Sequence, residues 1–170
     1  MEKEYGKLKP FGAKGEHLVV IQIALVALYF FTPVWPDLRG GELWRQFAIL
    51  RWGGLVIGVL AGAALGIGGS LTIRRYLTPL PYPVENNKLV NSGVYALVRH
   101  PLYSSQLLAA AGWAVFSLSL SHLLVTALAL AFFNYKASKE EAWLTERHPE
   151  YRDYAAKVGK FAPGLGKLKK

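Results

Sequence analysis

The chain alternates between long apolar runs and short charged segments. The apolar runs cover residues 18–34, 47–73 (or 51–73), 101–119 and 122–135. A membrane-spanning helix needs about 20 mostly apolar residues, so the pattern predicts four transmembrane helices, the fourth of them short for a full crossing. Because only SLSLSH connects the third run to the fourth, we expect these two to form an antiparallel helical hairpin.

Glycine recurs every four residues inside the second run, at Gly54, Gly58, Gly62 and Gly66. This spacing places the four glycines on one face of a helix and lets another backbone approach closely. Packing against a neighbouring helix of the same chain is the preferred interpretation, and a homodimer through this face is the alternative.

A polar C-terminal segment follows the fourth run. A short helix is expected at residues 138–146, followed by a break at residues 148–149. Residues Tyr151, Tyr154, Ala155 and Val158 then follow the i, i+3, i+4, i+7 spacing of an amphipathic helix, which is expected either to lie on the membrane or to cap the helical bundle. The sequence therefore predicts an all-α integral membrane protein of about four transmembrane helices, including a C-terminal hairpin, with a cytoplasmic amphipathic tail.

The basic residues predict the orientation in the membrane. They concentrate before the first run, between the second and third, and after the fourth, whereas the other side has only Arg39, Arg45 and the borderline Arg51. With four spans, all the basic segments fall on one side, which the positive-inside rule assigns to the cytoplasm. Both termini are therefore expected to be cytoplasmic, at a bacterial or archaeal plasma membrane or at the endoplasmic reticulum.

Composition narrows the possible chemistry. Hydrophobic residues make up 52% of the chain and charged residues 18%, with a formal net charge of +9. Because the positive residues adjoin apolar runs, we expect contact with anionic lipid headgroups rather than with nucleic acid. The chain has no cysteine, which excludes disulfides, thiolate nucleophiles and cysteine-ligated metals, and no metal site is predicted.

The pattern Arg-His-Pro-any-Tyr occurs twice, at residues 99–103 and 147–151. In the first copy, Pro101 suits the first turn of a helix. Arg99 and His100 are then expected at the N-terminal mouth of the third span, where free N–H groups favour an anion. No apolar run follows the second copy, which is interpreted as a junction between two helices that resembles the first copy by coincidence, with a solvated Arg-His pair.

The surroundings of the first copy resemble a known family. The sequence GVYALVRHPLY, at residues 93–103, precedes an apolar hairpin, the pair Glu140–Glu141 at the charged end of that hairpin, and a tyrosine-rich tail ending near Pro163. In combination these features resemble the isoprenylcysteine carboxyl methyltransferases and their phospholipid methyltransferase relatives over roughly residues 78–163. The chain is interpreted as one membrane domain, 1–170, with two N-terminal spans at 1–77 and a methyltransferase core at 78–163.

This resemblance implies transfer of a methyl group from S-adenosylmethionine to a lipophilic acceptor at the cytoplasmic face, most like carboxyl O-methylation of a prenylcysteine. A carboxylate such as Glu140 suits the ammonium and sulfonium groups of that cofactor. The resemblance implies a cofactor site formed by Lys88, Leu89, Val90, Tyr95, His100, Pro101, Leu102, Tyr103 and Glu140.

Two cations are candidates for catalysis. Lys136 precedes Glu140 by four residues on one helix face, and it stands where the family often has an arginine that meets the acceptor. Arg99 is a candidate for binding the carboxylate of the cofactor or the acceptor. For both cations, the alternative is a basic residue that extends its charged end to the membrane interface.

Two other functions stay open at this point. Sterol double-bond reductases have a C-terminal half that resembles this family's, but they use NADPH and are longer than this chain. A non-enzymatic accessory protein, held in a complex through the glycine face, is the other alternative. The acceptor is likewise open between a prenylcysteine, a phospholipid amine, a small thiol and another lipophile.

Overall fold

A computed structural model of the protein describes residues 15–75 and 88–168. The helices in chain order are α1 (Glu16–Phe31), α2 (Glu42–Gln46), α3 (Ala48–Ile73), a 3-10 turn (Gly93–Ala96), α4 (Pro101–Ser117), α5 (Leu120–Arg147) and α6 (Tyr151–Lys157). Within those residues there is no strand, so the all-α prediction is confirmed. The predicted boundary at 77/78 and the basic residues of 1–14 and 169–170 lie outside the described residues.

The outer surfaces of the helices are apolar. Helices α3 and α5, of 26 and 28 residues, are long and apolar enough to cross a membrane, whereas α1 and α4 have 16 and 17 residues. Phe31, Ile49 and Leu124, on three different helices, are 86%, 91% and 70% exposed. Soluble proteins rarely present large continuous apolar patches to water, so these faces are suited to lipid. The number of spans and the orientation of the termini stay predictions.

The glycine face of α3 packs against α4. A Cβ atom on Gly58 would lie 2.6 Å from the carbonyl oxygen of Leu108 and 2.9 Å from Cα of Gly112. A Cβ atom on Gly62 would lie 3.0 Å from the carbonyl oxygen of Ser105. Two helix backbones approach this closely only where the side chain is missing. The intramolecular interpretation of the glycine spacing is therefore the one observed.

Helices α4 and α5 form the predicted hairpin. Leu118 and Ser119 connect them, and Leu118 ends α4 in the left-handed region with a φ of 48°. Ser119 caps α5, because its Oγ accepts a hydrogen bond from the N–H of His122 at 3.3 Å. The short hairpin thus fixes the relative position of the two helices that carry most of the candidate residues.

Helix α5 is longer than predicted. It continues to Arg147 without interruption, so the separate helix expected at 138–146 is the last part of α5. The buried side of the helix runs through Phe133 and Ala137 into this part, and this continuous packing explains why the change in composition does not end the helix.

Helix α6 covers one end of the bundle. Tyr151, Tyr154 and Ala155 are buried there, with Leu89, Leu144 and Val158 packed around them. The Tyr154 hydroxyl donates a hydrogen bond of 2.6 Å to the carbonyl oxygen of Tyr95. Of the two placements expected for the amphipathic tail helix, the structure therefore has the capping one.

Candidate functional site

The residues before α4 pair with the C-terminal segment. Val98 and Gly159 form an isolated parallel bridge. The N–H groups of Arg99 and His100 donate to the carbonyl oxygens of Gly159 and Lys160 at 2.9 and 3.1 Å. The next residue, proline, begins α4 without needing an N–H partner. These constraints hold the imidazole of His100 at the entrance of α4, facing α5.

Two adjacent carboxylates of α5 flank that imidazole. Nε2 of His100 lies 2.9 Å from Oε1 of Glu141, and Nδ1 lies 3.4 Å from Oε2 of Glu140. The other oxygen of Glu140 accepts a hydrogen bond from the Tyr103 hydroxyl. Both ring nitrogens of His100 therefore face negative charge.

This environment favours the imidazolium form of His100. Burial alone lowers the pKa of a histidine, because desolvation disfavours the cation. The hydrogen bonds to Glu140 and Glu141, with the negative charge of both carboxylates, outweigh burial and raise the pKa of His100 above its ordinary value. A protonated His100 fixes both carboxylates in place.

An aromatic wall borders Glu140. The ring of Tyr103 stacks on Phe133 at 4.7 Å between centroids and on His100 at 5.6 Å. Tyr95, on the 3-10 turn, is close enough to feel this charge: burial raises the pKa of its hydroxyl, and the charges of Tyr154 and Glu140 add to that effect. The combination of an anionic oxygen and aromatic faces is a favourable environment for a cationic ligand.

Of the nine residues predicted to bind the cofactor, four lie in this cluster: Tyr95, His100, Tyr103 and Glu140.

The remaining five are placed elsewhere. Lys88 is exposed and Val90 half-buried, while Leu89 packs against the α6 cluster. The side chains of Pro101 and Leu102 face α3, against Gly69. Contact of these residues with a cofactor stays a prediction.

Arg99 is buried in protein, with its side chain 1% exposed. Its Nε donates to Oε1 of Glu141 at 2.9 Å. Its terminal N–H groups donate to the carbonyl oxygens of Ala155, Val158 and Gly166. The alternative of a cation extended to the membrane interface is therefore wrong, and the contacts are those of a residue that holds the C-terminal segment in place. A part in catalysis stays a prediction.

Lys136 also points inward and is 2% exposed. Its Nζ donates to Oε1 of Gln22 on α1 at 2.6 Å and lies 5.2 Å from the ring centroid of Tyr103. The interface alternative is wrong here as well. The ammonium is one helical turn from Glu140, at the edge of the aromatic wall.

Sequence reasoning missed several residues of the site. Glu141 was not predicted as a site residue. The sequence did contain a signal for it, because two adjacent basic residues, Arg99 and His100, can pair with two adjacent carboxylates. Lys160 was also missed. Its Nζ donates to Oδ1 of Asn134 at 2.8 Å and lies 4.0 Å from Oε2 of Glu141. Lys160 contacts α5 because of the tertiary folding of the C-terminal segment, which no local sequence pattern predicts.

The second Arg-His-Pro copy lies at the junction between α5 and α6, as predicted. Its histidine is less solvated than expected, however. The side chain of His148 is 15% exposed, and its Nδ1 lies 3.5 Å from Oε1 of Glu150.

A cavity of about 360 Å³ lies at the opposite end of the bundle. It is bordered by the segment before α3 and by the α4–α5 turn, with Leu38, Phe47, Leu118 and Leu123 in its wall. None of the predicted site residues lines it, so it is separate from the polar cluster.

Comparison with known proteins identifies relatives of this chain. The sequence model of the phospholipid methyltransferase family matches residues 48–151. The cobalt-zinc-cadmium resistance protein CzcN of Cupriavidus metallidurans is 36% identical over 128 residues, covering 70% of this chain and 56% of CzcN. The nickel-cobalt-cadmium resistance protein NccN of Alcaligenes xylosoxydans xylosoxydans is 28% identical over 148 residues, covering 86% of this chain and 62% of NccN. The chain therefore spans about three fifths of the length of these two relatives.

A solved structure has the same fold. It is the eukaryotic intramembrane Ras methyltransferase ICMT, an isoprenylcysteine carboxyl methyltransferase, which matches with a TM-score of 0.66 and 21% identity. The match covers 91% of this chain and 55% of that one. At this identity the similarity shows a shared membrane fold.

Proposed function

Since the chain belongs to the phospholipid methyltransferase family, we propose that it transfers a methyl group from S-adenosylmethionine to a lipophilic acceptor within the membrane. The observation that carries the proposal is the arrangement of Glu140 between the Tyr103 hydroxyl and the His100 imidazole, beside the Tyr103–Phe133 stack. The fold shared with ICMT supports a carboxylate as the methylated group of the acceptor.

The residues at this site fit the cofactor in charge. S-adenosylmethionine carries a positive sulfonium and a positive amino group, and Glu140 offers a carboxylate whose side chain is 15% exposed. Charge-assisted hydrogen bonds to a carboxylate are roughly twice as strong as neutral ones. Glu140 is the residue we assign to the cofactor's cationic groups, with Tyr95, His100 and Tyr103 around it.

Methyl transfer depends mainly on alignment of donor and acceptor. When bound, S-adenosylmethionine would supply an activated methyl group: as the acceptor oxygen bonded to the methyl carbon, the carbon–sulfur bond would break and leave its electron pair on sulfur. An acceptor carboxylate is already deprotonated, so the protein has no proton to remove. The task of Lys136 is to hold that carboxylate, since its ammonium lies beside the Tyr103 ring, one turn from Glu140.

The cofactor assignment is tested by calorimetric titration of the purified protein with S-adenosylmethionine. We expect saturable binding by the wild type and binding weaker by about tenfold or more for Glu140→Gln, because a charged hydrogen-bond acceptor is lost. Glu146→Gln is the matched control, an exposed carboxylate on the same helix, and should bind like the wild type. Equal binding by Glu140→Gln and the wild type, or no saturable binding at all, would remove the proposal.

The acceptor is identified by methyl transfer. Radiolabelled donor is incubated with the protein and either a total lipid extract or synthetic prenylcysteines, and the labelled product is identified. NADPH serves as the comparison ligand in a thermal-shift assay, because a ligand that binds the folded state raises its unfolding temperature. Protection by NADPH but not by S-adenosylmethionine would favour a reductase instead.

The names of the two curated relatives refer to metal resistance. We do not propose direct metal binding as a second function. In the part of the chain that the structure describes, residues 15–75 and 88–168, no group of three or more His, Cys, Asp or Glu residues could hold a metal ion.

A further inference from the structure

A chain of polar side chains crosses the apolar bundle next to the candidate site. Nζ of Lys136 on α5 donates to Oε1 of Gln22 on α1 at 2.6 Å. Nε2 of Gln22 donates to Oε1 of Gln106 on α4 at 3.1 Å, and Nε2 of Gln106 donates to the carbonyl oxygen of Leu102 at 3.0 Å. Polar side chains inside membrane-spanning helices are costly and commonly mark a substrate pathway.

The direction of this hydrogen-bond chain is fixed by its two ends. A lysine ammonium has three donors and no acceptor, and a carbonyl oxygen is an acceptor only. Gln22 must therefore turn its oxygen to Lys136 and its NH₂ group to Gln106 on α4. Gln106 must turn its oxygen to Gln22 and its NH₂ group to the carbonyl oxygen of Leu102. The amide of Gln22 thus has one orientation, set jointly by α4 and α5.

Among the residues that the structure describes, this cluster has more hydrogen-bond donors than acceptors. Within them, Lys136 uses one of its three N–H groups on Gln22, and each of the two amide NH₂ groups has a second N–H beyond the bond described. The ammonium is paired with an amide rather than a carboxylate, so its positive charge is not neutralised within the chain of bonds. Several donors around one cation suit an anionic group with two oxygens, such as a carboxylate.

The cluster also lies close to lipid. Gln22 is half-buried on α1, whereas its neighbours Ile21 and Ile23 are 43% and 64% exposed on the apolar outer face. The exposed apolar face of α1 is therefore one residue from the side chain that contacts Lys136, and an acceptor held in the bilayer by its apolar chain would approach from that side.

We propose that Gln22 is the positioning residue of the acceptor site: its amide orients the Lys136 ammonium and makes the site selective for a lipid that ends in a carboxylate. This inference rests on the proposed methyl transfer and adds a residue of α1 that lies outside the 48–151 match to the family. Gln22 touches Lys136 rather than the reacting atoms. Its effect should therefore appear in acceptor affinity and selectivity, and not in the binding of the methyl donor.

Gln22→Glu is the decisive variant. It keeps the side-chain shape and still accepts a hydrogen bond from Lys136, but it loses the N–H donor to Gln106. The new ion pair with the Lys136 ammonium offsets that lost bond, so the unfolding temperature should stay close to that of the wild type. Its negative charge, however, neutralises the ammonium and repels an incoming carboxylate, and like charges brought together cost enough to weaken binding at least about tenfold. A merely structural role for Gln22 predicts no such loss. Gln46→Glu, an exposed glutamine on α2, is the matched control.

The experiment measures methyl transfer to a synthetic prenylcysteine, with and without its uncharged methyl amide as a competitor. The Kd of S-adenosylmethionine and the unfolding temperature are measured for the same variants. For Gln22→Glu we expect the KM of the carboxylate acceptor to rise at least about tenfold, inhibition by the uncharged amide to persist, and donor Kd and unfolding temperature to match the wild type. Gln22→Met, which cannot accept from Lys136, should also raise this KM, and Gln46→Glu should not.

Two outcomes separate this inference from the proposed function. Normal transfer by the wild type with an unchanged acceptor KM in both Gln22 variants would overturn the role of Gln22 and leave the methyltransferase intact. A wild type that binds no donor and transfers no methyl group would overturn the proposed function and, with it, this inference.

Discussion

Arg99 and Glu141 form a buried ion pair that links three parts of the molecule. Nε lies 2.9 Å from Oε1, and the two side chains are 1% and 8% exposed. The same oxygen of Glu141 lies 2.9 Å from Nε2 of His100, while the other donors of Arg99 hold carbonyl oxygens of the C-terminal segment. The pair therefore connects the entrance of α4, the polar end of α5 and the tail.

Removal of Arg99 should destabilise the protein strongly. In Arg99→Ala, Glu141 and three backbone carbonyls lose a partner, and breaking a buried pair by deleting one member costs about 3–5 kcal/mol. Thermal unfolding in detergent should show a marked drop in Tm, while Arg152→Ala, at an exposed position of α6, should leave it unchanged. An unchanged Tm with loss of methyl transfer would instead support the catalytic role that the sequence predicts for Arg99.

The stability of the site should depend on pH through His100. The carboxylates Glu140 and Glu141 raise the folded-state pKa of this residue despite its burial. Because this pKa is raised on folding, the stability that His100 contributes is fully present below the ordinary histidine pKa of about 6.5. That stability is lost as pH rises through the folded-state pKa. The Tm of the wild type should fall towards that of His100→Gln as pH is raised.

His17→Gln, at an exposed position of α1, is the control for this pH series and should follow the wild type. A Tm difference between the wild type and His100→Gln that stays constant from about pH 5.5 to 9 would show that His100 does not titrate with the carboxylates.

Two glycines of α3 should respond differently to alanine. The Cβ of Gly58→Ala would lie 2.6 Å and 2.9 Å from backbone atoms of α4, which cannot move aside without separating the helices, so Tm should fall. Gly53 has nothing within 4 Å of an added Cβ, and alanine in a helix interior is favoured over glycine by roughly 1 kcal/mol, so Tm should be equal or higher. Equal effects in the two variants would contradict the packing of α3 on α4.

The sequence predicted what depends on local patterns. The apolar runs located the long helices, the spacing of Gly58 and Gly62 indicated close packing, and the motif ending at Tyr103 indicated the family, which the match over 48–151 confirms. These features are readable because periodicity and side-chain size act over a few turns of one helix.

The contacts between distant segments could not be predicted in this way. Gln22 and Lys136 are 114 positions apart, and Gln22 looks like one polar residue in an apolar run. The terminal N–H groups of Arg99 donate to backbone carbonyls, which every residue has, so no sequence pattern indicates these contacts. Lys160 likewise reaches α5 only because the tail turns back along residues 98–100.

Tyr103→Phe should separate the contribution of the hydroxyl to cofactor binding from that of the aromatic ring. The variant keeps the stacks with Phe133 and His100 but removes the hydrogen bond to Glu140, so the carboxylate is less firmly oriented towards the cofactor. Hydrogen bonds to charged groups contribute about 1.5–3 kcal/mol, which sets the upper limit of the loss in S-adenosylmethionine affinity. Calorimetric titration should show a weaker Kd at nearly unchanged Tm, whereas Tyr135→Phe, 52% exposed on α5, should bind normally. Wild-type affinity in Tyr103→Phe would mean that Glu140 is held in place without this hydroxyl.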